Sequence, residues 1–105
     1  MDELAGEVLM ICMDNGSVFR NSYSTDGRYV TWEAVSGPAE GRRERCPLHW
    51  VRLTPGVFFL NWIESDATTV SHVLNLTTMT AEVFWSFGAK RSRAGRLHTA
   101  KLRFA

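Results

Sequence analysis

Apolar and polar residues alternate along most of this chain, and the alternation is broken about every ten residues by Gly, Pro, Asn or Asp. Side chains two apart on a strand share a face, so a period of two marks strands with one buried side. The clearest run is Pro55-Gly56-Val57-Phe58-Phe59-Leu60-Asn61-Trp62-Ile63-Glu64, in which Phe58, Leu60 and Trp62 share a face and Glu64 takes the next place on it. If that face lines an interior, a carboxylate stands at the mouth. Beyond a tip at Ser65-Asp66-Ala67-Thr68, the return run from Val70 to Leu76 sets His72 between Val70 and Leu74 on its apolar face. The pattern therefore predicts a hairpin that aims Glu64 and His72 into one cavity.

The same reading predicts strands over Val8 to Met13, Val18 to Ser24, Arg28 to Val35, Arg42 to Arg45, His49 to Leu53, Thr80 to Phe87 and Arg96 to Phe104. Asp14-Asn15-Gly16 is a hairpin turn, because Asn and Gly tolerate the positive φ that tight turns need. Pro47 is expected to break its strand, Ser36 to Gly41 to form a loop, and Gly88 to Gly95 a basic loop. Only Asp2 to Ala5 looks helical, and it is too short to count on. By alternation His49 and His98 point inward, as do Ala81, Val83, Trp85 and Phe87. Eight or nine short strands joined by tight turns predict an all-β fold, a small antiparallel up-and-down β-barrel spanning residues 1–105 as one domain. Closure removes exposed sheet edges, and a barrel of about eight strands can hold side chains or one small ligand.

Composition narrows the function. A net charge of +1 asks for no polyanionic partner. The basic cluster Lys90, Arg91, Arg93 and Arg96 has no aromatic platform beside it and reads as a solvated loop, so no nucleic acid is expected. No apolar run is long enough for a membrane span or a signal sequence, which points to a cytoplasmic protein with no membrane partner. Cys12 and Cys46 lack metal-site spacing and read as reduced thiols. Three scattered histidines make no metal motif, so neither metal nor cofactor is expected. There is no Gly-rich phosphate loop and no nucleophile elbow, and Ser71 points away from His72.

Several pieces together resemble a known family. Asp14-Asn15-Gly16, Gly41-Arg42, Leu53-Thr54-Pro55-Gly56-Val57-Phe58, Trp62-Ile63-Glu64 and Thr69-Val70-Ser71 resemble the core of bacterial phenolic acid decarboxylases. They are equally similar to the related lipocalin-like family named for molybdenum cofactor biosynthesis protein F. The likeness covers residues 8 to 88 and implies a calycin-type barrel with a ligand cavity, often a homodimer. In the decarboxylases two tyrosines on the first strand, the arginine of Gly-Arg and the glutamate of Trp-x-Glu act on a hydroxycinnamate. Arg42 and Glu64 hold the last two places here. The tyrosine places fall on Ile11 and Met13, and a third aromatic that is tyrosine in the decarboxylases falls on Phe19. Plain hydroxycinnamate decarboxylation is therefore not expected.

The candidate catalytic residues are Glu64, Arg42 and His72. A carboxylate beside an apolar cavity has its charged form disfavoured, a nearby arginine opposes that shift, and a histidine adds a group that titrates near neutral pH. The candidate substrate-binding residues are Trp62, Phe58, Met13, Phe19, Trp85 and Ile11, set against ordinary core packing for most of the aromatics. The resulting expectation is a cofactor-independent cyclase, isomerase or decarboxylase acting on a small aromatic or conjugated molecule. The alternative is a non-catalytic carrier or accessory protein of a biosynthetic pathway, by resemblance that of the molybdenum cofactor, although no residue pattern here recognises a pterin.

Overall fold

A computed structural model describes all residues 1–105. It contains nine strands: β1 (Val8–Met13), β2 (Val18–Tyr23), β3 (Tyr29–Ser36), β4 (Arg43–Pro47), β5 (His49–Thr54), β6 (Val57–Ile63), β7 (Thr69–Asn75), β8 (Thr80–Phe87) and β9 (Ala94–Phe104). They form one antiparallel sheet in the order β4-β3-β2-β1-β9-β8-β7-β6-β5. The last strand returns to the first, with Ile11 opposite Leu102 and Met13 opposite Ala100. The fold is all-β, an up-and-down barrel as the alternation predicts.

Three local features differ from expectation. Pro47 does not break its strand but ends it, opposite Tyr29. β4 lies at a sheet edge, where the missing N–H of proline costs no ladder bond. The final strand starts earlier than expected because Gly95 lies beneath Phe84, so close that a Cβ there would fall 2.4 Å from the ring. His49 faces outward, not inward. It pairs with Asn61 on the outer surface of β6, and every residue of β5 is exposed.

The exposure of β5 reflects the one gap in the ladder. β4 and β5 are consecutive in the chain and joined through Leu48, yet they are the two edges of the sheet. The barrel is thus nearly closed. Across the gap β4 reaches the end of β6 through Glu44, whose carboxylate accepts the Ser65 N–H at 2.9 Å.

Inward positions build the core along every strand except β5. Leu9, Val30, Phe58, Leu60, Leu74 and Val83 are all at 0% exposure. The amino-terminal segment is not helical. The N–H groups of Leu4 and Ala5 both donate to the Met1 carbonyl, at 3.2 and 2.8 Å, and this turn drives Leu4 into the barrel's end, where it is also at 0% exposure. Glu3 pairs with Arg52 of β5 and ties this plug to the edge strand. Burying one leucine in this way stabilises the fold by about 1.5–3 kcal/mol.

Candidate functional site

The end opposite the Leu4 plug is hollow. A cavity of about 30 Å³ lies among Ile11, Met13, Phe19, Trp62, Val70 and Trp85, with Asn21, Trp32, Glu64 and His72 completing its wall. That volume accommodates about two waters. It adjoins a vestibule of about 270 Å³ that shares Phe19, Trp32, Glu64, Val70 and Trp85 and adds Arg42, Asp66 and Phe87. Phe19 stands edge-on between Trp32 and Trp85, with ring centroids 6.3 and 6.0 Å away, so the vestibule floor is aromatic.

Glu64 occupies the step between the two spaces. It follows β6, and its backbone is fixed by the Glu64 N–H donating to Thr68 at 2.8 Å and the Ala67 N–H donating back to Glu64 at 2.9 Å. Its Oε2 accepts the Trp62 indole N–H at 3.2 Å. Burial raises its pKa above the ordinary carboxyl value. The Trp62 hydrogen bond opposes the rise, Asp66 and Glu44 add to it, and Arg42 opposes it further.

Arg42 lies on the vestibule wall just after Gly41, whose φ of +90° turns the chain toward β4. Its guanidinium contacts Asp66 at 3.8 Å and sits 6.0 Å from the centre of the Trp32 ring. The sequence suggests a close Arg42–Glu64 pair. The structure gives Arg42 the neighbouring carboxylate of Asp66 instead, because the hairpin tip carries Asp66 outward beside the half-exposed arginine while Glu64 turns in. Asp66 itself is held below the ordinary carboxylate range, first by the Thr68 backbone N–H.

His72 is 3% exposed, lines the cavity and meets Trp62 edge-on with ring centroids 4.8 Å apart. Burial lowers its pKa to about 3. Burial thus acts against the titration near neutral pH that the sequence suggests, and His72 stands in the cavity wall as a neutral ring. Its Nδ1 has no partner in the protein, and neither has Oδ1 of Asn21.

Of the expected apolar contacts, Trp62, Met13, Phe19, Trp85 and Ile11 all line the cavity. Phe58 does not. It is sealed at 0% exposure toward the plugged end and packs edge-on against Trp50 at 6.2 Å. Alternation assigned its face correctly but says nothing of depth along the barrel. Asn21, Trp32, Val70 and Asp66 were not singled out from the sequence. Asn21 left a signal, being a polar residue on the face that Phe19 and Tyr23 share. A second polar cluster lies outside the cavity, where His98 Nδ1 and Asp14 Oδ1 are 2.7 Å apart and Trp85 packs on the imidazole at 4.9 Å. No third metal-ligating side chain joins it.

The chain is similar to a crystal structure of a candidate beta-lactamase from Burkholderia vietnamiensis, with a TM-score of 0.87 and 22% identity over 97% of this chain and 95% of that one. At that identity the likeness shows the fold alone. No curated protein matches. No helix is long and apolar enough to cross a membrane. Residues 5–97 match the family described as MoaF-like, and by that match over most of its length the chain belongs to the MoaF-like family, as a small-molecule-binding β-barrel.

Proposed function

We propose that this barrel is a cofactor-independent enzyme that moves a proton on an aromatic or conjugated small molecule. The observation that carries this reading is Glu64, a carboxyl group of raised pKa shared by the cavity and the vestibule. A carboxyl group with its pKa moved toward the working pH takes up and returns a proton more readily than one fully ionised. A flat substrate rests between Trp85, Phe19 and Trp32. Glu64 accepts a proton from carbon or oxygen, leaving an enolate or phenolate. Arg42, on the vestibule wall, offsets the charge delocalised to the outer end of the conjugated system, and neutral His72 donates a hydrogen bond to the buried oxygen. Return of the proton at the far end of the conjugated system gives an isomer, and attack of the same anion on an electrophilic carbon of the substrate closes a ring. In a substrate that carries a carboxylate, the proton returned to the conjugated carbon makes an enone or quinone methide that takes up the electron pair left as carbon dioxide departs.

The test is turnover of a panel of aromatic acids and conjugated enones, followed by product mass. Glu64→Gln lowers the rate by roughly 10²–10⁴-fold, and Arg42→Ala lowers it with a smaller effect on binding. Equal turnover by wild type and both variants would end this mechanism. A non-catalytic carrier has one observation in its favour, the apolar Ile11 and Met13 facing the cavity. Saturable binding with unchanged ligand mass at every enzyme concentration would replace the enzyme by the carrier.

A further inference from the structure

The inner cavity has polar groups with nothing to bind. Asn21 is 1% exposed and His72 is 3% exposed, both line the cavity, and Asn21 Oδ1 and His72 Nδ1 lack any protein partner. Leaving such atoms unpaired in a dry interior is costly, so a native fold keeps them where a bound group or ordered water meets them. The two sit on strands from opposite halves of the sheet, β2 and β7, and no turn or cap requires either of them.

The charge around this space is one-sided. Asn21 is uncharged, and burial keeps the His72 ring neutral down to a pKa of about 3. Glu64, the acidic neighbour, repels an anion when ionised. The nearest cation, Arg42, lines the vestibule but not the inner cavity, and it contacts Asp66 there. A carboxylate pushed inward would lose its water and gain no counter-charge. With about 30 Å³ available, the space admits one small group and not a ring.

Building on the proposed function, we infer that Asn21 and His72 form a head-group subsite for one uncharged hydroxyl, carried on a ring that stays in the vestibule. The hydroxyl donates to Asn21 Oδ1 and its oxygen accepts from His72, whose proton sits on the nitrogen that faces it. Any carboxylate on the same ligand remains outside, beside Arg42. The subsite thus fixes which end of a substrate enters first and sets the reacting carbon near Glu64.

Three probes with one ring system separate the possibilities: 2-naphthol, naphthalene and 2-naphthoate, each measured by equilibrium dialysis at neutral pH against the intact protein. The expected result is 2-naphthol bound about tenfold or more tightly than naphthalene, and 2-naphthoate binding that Asn21→Leu leaves unchanged, since its carboxylate stays beside Arg42. In Asn21→Leu the naphthol preference collapses to near unity while naphthalene binding is retained, which also shows that the variant is folded. Equal affinity of wild type for naphthol and naphthalene, or a naphthol preference that survives in Asn21→Leu, overturns the subsite yet leaves the aromatic site standing. Binding of none of the three removes both the subsite and the aromatic-ligand reading beneath it.

Discussion

The two ends of this barrel are made from the same alternation and have opposite characters. At the plugged end Leu4, Leu9, Phe58 and Leu74 are sealed at 0% exposure, and the amino-terminal turn caps them. At the other end residues on the same inward faces, Glu64 after Trp62 and His72 between Val70 and Leu74, surround empty space. What separates them is a lid of apolar chain at one end and its absence at the other. Tight packing supplies stability, whereas a site must leave volume and polar atoms unfilled.

Mutations should expose that division. The largest effect is expected from Phe58→Ala, which removes a fully buried ring and costs about 3–5 kcal/mol in urea unfolding, with ligand affinity per folded molecule unchanged. A loss under about 1 kcal/mol would mean the floor is not the stabilising end. Next comes acid sensitivity from His72. Its folded pKa of about 3 lies below the ordinary 6.5, so the unfolded chain binds the extra proton and stability falls as pH drops from 6.5 toward 3, by on the order of several kcal/mol. Subtracting the stability of His72→Leu from that of wild type at each pH isolates this slope; a pH-independent difference would contradict the neutral, buried ring.

Trp85→Ala at the mouth should cost only about 1–2 kcal/mol of stability, since its ring is half-buried, but should weaken aromatic ligands about tenfold. Equal losses from Trp85→Ala and Phe58→Ala would erase the contrast between the ends. Glu64 is expected to act in the opposite sense to His72. Its folded pKa is raised, so the folded state holds the proton more tightly and stability declines as pH rises from the ordinary 4.5 through the folded value. Glu64→Gln should therefore be more stable than wild type at neutral pH and lose that advantage near pH 4.5, which thermal melts at several pH values would show. The smallest change is expected at the hairpin tip, where Ala67 adopts φ 69°. Ala67→Gly relieves that left-handed strain and raises stability by under about 1 kcal/mol, with partial offset from the freer unfolded chain.

Much of this was legible in the sequence. Strand positions, inward faces and the up-and-down order follow from the period of two, because a pleated strand offers only two faces and the apolar one must be buried. The same rule put Glu64 at an end and Trp62 and Trp85 on inward faces, whereas Ile11, Met13 and Phe19 were legible only through the tyrosine places of the decarboxylase resemblance. Depth was not legible, and Phe58 shows why. Its face is that of Trp62, but four residues along a tilted strand separate the sealed floor from the cavity.

Partners across the barrel were equally hidden. The chain itself fixes that Arg42 follows a glycine turn and that Asp66 lies two residues after Glu64. Only the packing of β4 against the end of β6 decides that Asp66, not Glu64, meets the guanidinium. Likewise a histidine between Val70 and Leu74 is inward by alternation, but its lowered pKa and unpaired Nδ1 depend on what the other strands bring around it. Sequence by itself determined which side of most strands faces inward, since that is a local consequence of the pleat, but not on β5, whose edge position leaves both faces exposed. Tertiary structure alone decided which inward residues fill the core and which surround a cavity, because volume and desolvation belong to the closed barrel and not to any one strand.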